Sequence, residues 1–116
     1  MKKRIRNFLM DIVEEELNDE KGRGCMTANA ALEHASQDEK VAEIVSQNLN
    51  YLEVALYGVF RSAQENDEIP SHKNARALAR FVLNTVQGLR VLSKGCLGKN
   101  RRQILIDVVD VTIEAI

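Results

Sequence analysis

Apolar residues recur every three or four positions along most of the chain, a period typical of amphipathic α-helices. The pattern divides the chain into five predicted helices at residues 3–18, 25–35, 38–66, 72–93 and 100–116. The longest would extend roughly 40 Å at 1.5 Å per residue and is expected to be the spine of the domain. Breaks are predicted where glycine or proline interrupts the period: in the segment NDEKGRG at 18–24, at Pro70 and at Gly95.

Local signals predict how these helices begin and which way they face. Ser36 with Glu39 has the spacing of a capping box, Ser71 follows Pro70 as an N-cap, and Asn100 with Gln103 resembles another cap pair. In the first helix, the apolar stripe turns inward and the three glutamates at 14–16 are expected to face outward.

The last predicted helix needs a decision, because its sequence ILIDVVDVTIEAI is rich in β-branched residues that favour strands. Asp107, Asp110 and Glu114 are spaced three and four apart, which places them on one side of a helix but on both faces of a strand. Helix is therefore predicted. The acidic stripe is interpreted as a solvated strip paired with Arg101 or Arg102 across a dimer, since one helix supplies only one side of a cation site.

The last two predicted helices each have two apolar faces. In 72–93 the second face consists mostly of small residues, with Phe81, Asn84, Gly88 and Val91 among them. A surface helix of a single domain needs only one apolar face, so the second predicts a partner. The simplest partner is a second copy of the chain, giving an all-α domain that forms an intersubunit four-helix bundle.

Composition narrows the class of protein. The chain has 116 residues, 45% of them hydrophobic and 28% charged, with a net charge of -1. This predicts one ordinary globular domain over 1–116 and excludes a wholesale basic nucleic-acid binder. Apolar runs are too short for a membrane span or a signal peptide. Cys25 and Cys96 make no disulfide framework, so a cytoplasmic protein with small, buried cysteines is predicted.

Motifs for catalysis are not found. The sequence has no phosphate-binding glycine loop and no nucleophile elbow, and His34 and His72 stand alone. No enzyme activity, cofactor or metal is therefore predicted. Four polar residues lie within apolar helical stretches, where either structural hydrogen bonds or contacts to a small ligand would explain them: Asn29, Asn48, Tyr51 and Asn84.

Two stretches resemble TetR-type transcriptional regulators. GCMTANAALE at 24–33 is similar to the GC-x-x-x-N-x-A-x-E pattern at the start of a short helix in that family's C-terminal domain. ALARFVLNTVQGLRVL at 77–92 resembles its ALARFL-x-x-x-QGLRVL signature, and the similarity extends from about residue 4 to 116.

The resemblance implies an effector-binding and dimerisation domain that pairs through its last two helices. The expected interface residues are Phe81, Asn84, Gly88, Val91, Val109 and Ile113. It also implies a small hydrophobic or cationic effector among the central helices, for which the candidates are Met26, Asn29, Asn48, Tyr51, Leu52, Leu56 and Phe81.

The family's N-terminal helix-turn-helix has no counterpart in this sequence, because nothing before Gly24 has the length of that motif. Operator DNA is therefore expected to be read only through a missing N-terminal domain. The chain is then either part of a longer regulator that has this domain or a headless relative that does not bind operator DNA. The alternative from another class is a stand-alone adaptor that grips a partner helix with its apolar C-terminal helices. An adaptor would be a monomer, whereas the regulator would be a homodimer.

Overall fold

The computed structural model describes residues 1–19, 37–95 and 98–116. Within these ranges the secondary structure is helical, with no strand. The helices are α1 (Lys2–Leu17), α2 (Glu39–Glu65), α3 (Ala75–Gly95) and α4 (Arg101–Ala115). The all-α prediction is confirmed, and these four helices lie within three residues of their predicted bounds. The helix predicted at 25–35 lies outside the described residues.

The α3 helix is the centre of the described part. It contacts α1, α2 and α4, and α1 also packs on α4, whereas α1 and α2 do not approach each other's backbone. Fully buried side chains from all four helices meet in one core that includes Leu9, Val13, Phe60, Val82, Leu89, Leu105 and Val109. Burying each large apolar side chain contributes about 1.5–3 kcal/mol, so this cluster is the main source of stability.

The helices form a thin molecule. Its extents are 42 × 39 × 16 Å and its radius of gyration is 15.1 Å, where a compact chain of this length has about 13 Å. Because a helix with its side chains is about 10 Å across, the short dimension leaves room for no more than two helical layers. Helices in such a layer can be buried on one side and exposed on the other.

Two predicted N-caps are wrong, because both helices begin later than the capping residues require. The α2 helix is capped by Asp38, whose carboxylate accepts from the backbone N–H of Lys40 at 2.9 Å and of Val41 at 3.3 Å. Asn74 performs the same role for α3, since its side chain accepts from Ala77 N–H at 3.0 Å. Ser36 lies outside the described residues, and Ser71 is three residues short of the helix.

The late start of α3 has a physical cause in the preceding loop. Gln64, a buried residue at the end of α2, donates from its amide to the backbone oxygens of Lys73 at 2.7 Å and Pro70 at 3.3 Å. These bonds hold the loop in a turn until residue 74. Asn100 does precede α4, but its side chain makes no capping bond, and Gln103 donates to Asp107 instead.

Charged side chains join α1 to the C-terminal helices within the chain. Arg101 donates to the backbone oxygen of Glu16 at 2.8 Å and to Ser93 Oγ at 2.6 Å. Arg102 pairs with Glu14, and Asp110 pairs with Arg6 of α1 at 2.5 Å. Both arginines proposed as partners of the acidic stripe across a dimer are thus engaged in the chain's own contacts.

Candidate functional site

An apolar surface runs along α3 and α4 on the side away from the core. Phe81, Gly88 and Val91 of α3 are exposed, with Phe81 43% and Val91 45% accessible. Val111 of α4 is 63% accessible and Val108 is half-buried beside it. With Asn84, these six residues define the α3–α4 face, and they line a shallow depression of about 690 Å³.

The floor of this depression is the contact between the two helices. Thr85 and Thr112 are buried there, with their hydroxyl oxygens 3.4 Å apart. Each hydroxyl also donates to a backbone oxygen of its own helix, at Phe81 and Val108 respectively. Because both hydroxyls are satisfied, the exposed part of the α3–α4 face is left with mainly apolar chemistry.

Gly88 lies in the middle of α3 on this face, and the chain itself does not require a glycine there. Apart from its chain neighbours and the adjacent backbone of its own helix, a Cβ added to Gly88 would meet no atom within 4 Å. A glycine inside a helix costs about 1 kcal/mol relative to alanine. Its cost is therefore not offset by any close approach inside the chain.

The structure brings together four of the six residues predicted at the dimer interface: Phe81, Asn84, Gly88 and Val91. Val109 is elsewhere, since it is 0% accessible and packs in the core. Ile113 is half-buried against that core. Sequence reasoning missed Val108 and Val111, because α4 is apolar on most sides and its period does not tell which valines turn inward.

A second apolar site lies between α1 and α2. Its lining consists of Arg4, Ile5, Phe8, Leu52, Ala55, Leu56 and Val59, around a space of about 240 Å³. These residues define the α1–α2 groove. Ile5 and Leu56 are buried at its base, Phe8, Leu52 and Val59 are half-buried, and Arg4 and Ala55 are exposed. The groove exists because α1 and α2 both pack on α3 while their own backbones stay apart.

Only two of the predicted ligand residues, Leu52 and Leu56, line the α1–α2 groove. Tyr51 is 79% accessible on another side of α2, together with exposed Asn48, and Phe81 lies on the α3–α4 face. Met26 and Asn29 lie outside the described residues. A helix turns about 100° per residue, so Tyr51 cannot share the direction of Leu52.

The groove residues from α1 were missed for a different reason. Ile5 and Phe8 belong to the apolar stripe of the first predicted helix, which indicates burial without telling a core from a groove. Arg4 and Phe8 are four apart, so they lie on the same side of α1. This spacing in the sequence could have predicted a charged group beside an apolar surface of α1.

An ion cluster holds α2 against α3 behind these sites. Glu53 accepts from Arg76 and from Arg80, each at 3.0 Å. Hydrogen bonds from Arg80 and then Arg76 hold the pKa of Glu53 below its ordinary value. The Arg76 guanidinium also lies 4.3 Å from the centre of the Tyr57 ring, a cation–π contact. The cluster is a structural clamp, since Glu53 holds both arginines of α3 against α2.

Metal-ligating residues are not grouped in the part of the chain that is described: no three His, Cys, Asp or Glu side chains come together there. His72 is exposed in the α2–α3 loop. Cys25, His34 and Cys96 lie outside the described residues. In the same ranges, the helices are too short or too polar to cross a membrane.

Comparison with known families identifies the fold. The family model described as "Tetracyclin repressor-like, C-terminal domain" matches residues 2–101, most of the chain. The chain belongs to this family. The match covers α1, α2 and α3 and ends at Arg101, the first residue of α4. The resemblance to TetR-type regulators is confirmed. Searches of curated proteins and of solved structures returned no match.

Proposed function

We propose that this chain is the effector-binding and dimerisation domain of a TetR-like transcriptional regulator. The observation that carries the proposal is the α3–α4 face, an apolar surface on helices whose opposite sides already complete the core. Operator DNA would be contacted by a DNA-binding domain outside these 116 residues, in the cytoplasm. The chain itself would sense a small hydrophobic molecule and hold two copies together, without catalysis.

Surface area supports a second copy as the occupant of the α3–α4 face. The chain exposes 7545 Å², whereas a compact protein of this mass exposes about 6,400 Å². The excess is comparable to the roughly 800 Å² that each partner buries in a standard interface. Pairing about a two-fold axis would place α3 and α4 of both copies in one four-helix bundle.

Contacts of α1 supply a route from an effector to this interface. The first half of α1 contributes Ile5 and Phe8 to the α1–α2 groove, while Glu16 at its other end accepts from Arg90 of α3 at 2.9 Å. A ligand that displaces α1 would therefore act directly on a dimer helix. Regulation further requires that the ligand bind the two arrangements of the dimer with different affinity.

Sedimentation equilibrium tests the dimer. We expect a mass of twice 13.1 kDa at micromolar concentration. A wild-type chain that stays at the monomer mass would contradict the proposal and favour the adaptor hypothesis, in which the same face binds a helix of another protein.

Gly88→Leu tests which face forms the interface. Since an added Cβ would meet nothing within 4 Å beyond its own stretch of helix, the monomer should fold. In the dimer, the leucine would overpack a close helix contact between copies at a cost of about 1–3 kcal/mol. We expect the substitution to raise the dissociation constant of the dimer roughly 10-fold or more.

Gly58→Leu is the matched control for this substitution. Gly58 is an exposed glycine inside α2 with equally open surroundings, so the change in helix propensity and side-chain size is the same. The control should keep the wild-type dimer constant. If Gly58→Leu dissociates the dimer and Gly88→Leu does not, the interface lies on α2 and the assignment to the α3–α4 face fails.

A further inference from the structure

We infer that the α1–α2 groove selects a small amphipathic anion, a carboxylate with an aliphatic or aromatic tail. The tail would lie against Phe8, Leu52 and Leu56, and the carboxylate would pair with Arg4. The inference rests on the proposed effector-binding function and narrows it. The resemblance to TetR-type regulators implies a hydrophobic or cationic effector, and the charge beside this groove disfavours a cation.

The shape of the groove sets the size of the tail. Its base is made of buried Ile5 and Leu56, so the tail would leave water for an apolar surface already present in the fold. A space of about 240 Å³ corresponds to roughly eight liquid water molecules. This volume accommodates one ring or a short aliphatic chain.

The charge beside the groove sets the head group. Arg4 is the charged member of the described lining, and it forms no hydrogen bond or ion pair within the described residues. Its neighbour Arg6 is already paired with Asp110. A guanidinium presents a planar fork of donors that matches a carboxylate, so Arg4 is placed to bind one.

Two acidic side chains, one in α2 and one in the loop after it, are already neutralised. Glu53, next to Leu52 in α2, accepts from Arg76 and Arg80. Glu68, in the loop after α2, pairs with the N-terminal amine at 3.0 Å. Neither carboxylate is left to attract a cationic ligand, and neither competes for Arg4.

Isothermal titration of the full chain with octanoate, octanol and octylammonium tests the inference, because the three share one tail and differ in head charge. We expect octanoate to bind about three- to tenfold more tightly than octanol, the range for an accessible ion pair with a charge-assisted hydrogen bond. Octylammonium should bind more weakly than octanol. Equal or tighter binding of octylammonium would overturn the inference.

Arg4→Gln should lower the octanoate affinity to that of octanol and leave octanol unchanged. Lys3→Gln removes the same charge from an exposed position of α1 outside the groove lining, so its octanoate affinity should stay at the wild-type value. If both variants lose affinity equally, the effect is the general charge of α1 and the Arg4 site is refuted.

Ala55→Phe locates the tail, since a ring at this exposed groove position should abolish binding of octanoate and octanol together while circular dichroism shows an intact fold. Unchanged octanoate binding in Ala55→Phe would contradict the site.

If none of the three ligands binds the wild-type chain, the inference and the effector-binding part of the proposed function both fail, and the dimer stands on its own test. If octanol and octylammonium bind but octanoate has no advantage, only the inference fails.

Discussion

Glu16 is an acidic side chain with only 3% of its surface exposed, and it is stabilised by a cation that is 74 residues away in the sequence. Its carboxylate accepts from Arg90 at 2.9 Å, and the Arg90 side chain is itself mostly buried. Removing one partner of such a pair leaves a charge without compensation in a medium of low dielectric constant.

We expect Glu16→Ala to lower the free energy of unfolding by about 3 kcal/mol. The loss should lie at the low end for a buried pair, because Glu15 is 3.6 Å from Arg90 and can partly replace the missing charge. Urea denaturation measures it. Glu15→Ala, an exposed control, should change stability by less than about 0.5 kcal/mol, and equal losses for the two variants would contradict this account.

The same residue shows where sequence reasoning fails at this scale. Glu14, Glu15 and Glu16 were all predicted to face outward, and the prediction is wrong for Glu16. Position 16 is three and four residues beyond buried Val13 and Ile12, so helical geometry turns it toward the core. Only a long-range partner such as Arg90 makes a carboxylate stable there, and a partner so distant leaves no local signal.

At the scale of elements, the ion cluster around Glu53 fixes α2 on α3 and predicts a dependence on pH. The pKa of Glu53 is lowered in the folded chain, so its contribution to stability is complete above the ordinary value of 4.5 and is lost as the pH falls through the lowered pKa. Glu53→Gln removes this contribution.

We therefore expect wild type to melt above Glu53→Gln at pH 7 and the gap to close as the pH is lowered from 4.5 toward 3. Thermal melts followed by circular dichroism measure both. Glu114→Gln makes the same substitution at an exposed position of α4 and is the matched control. If the difference in melting temperature between wild type and Glu53→Gln stays constant from pH 7 to pH 3, the Glu53 carboxylate is not its source.

The four described helices could be predicted from the apolar period, whereas the residues that cap α2 and α3 could not. The period of α4 outweighed its β-branched composition, since the spacing of Asp107, Asp110 and Glu114 fits only a helix. The start of α3 depends on Gln64 holding the preceding loop, a contact between separate elements. Capping signals at Ser36 and Ser71 were plausible locally but lie too early for the helices that form.

At the scale of the whole molecule, the sequence indicates that α3 and α4 have two apolar faces, and the structure shows which face is free. In α4, Leu105 and Val109 turn into the core while Val108 and Val111 remain at the surface. This choice depends on how α1 packs across α4, because Leu9 and Val13 fill the inner side. The α1–α2 groove was equally hard to predict, since it arises between two helices whose backbones do not come close to each other.

The thin arrangement of helices has a consequence for local opening. Among the described helices, only α3 comes close to the backbone of α2. Its first half, residues 39–50, contributes Val45 alone to the buried residues, whereas its second half contributes Leu56, Phe60, Ala63 and Gln64. The first half can therefore unwind without exposing much apolar surface.

Native-state hydrogen exchange should resolve this opening. We expect amides in 39–50 to exchange at a much lower opening free energy than those around Leu89, whose helix is covered by three others. Uniform protection of the amides from exchange along the whole of α2 would contradict local opening of its first half. An effector that contacts Leu52 and Leu56 would bind just beyond this segment. Its binding would therefore slow hydrogen exchange of amides in 39–50, up to several helical turns from the ligand, with the average structure unchanged.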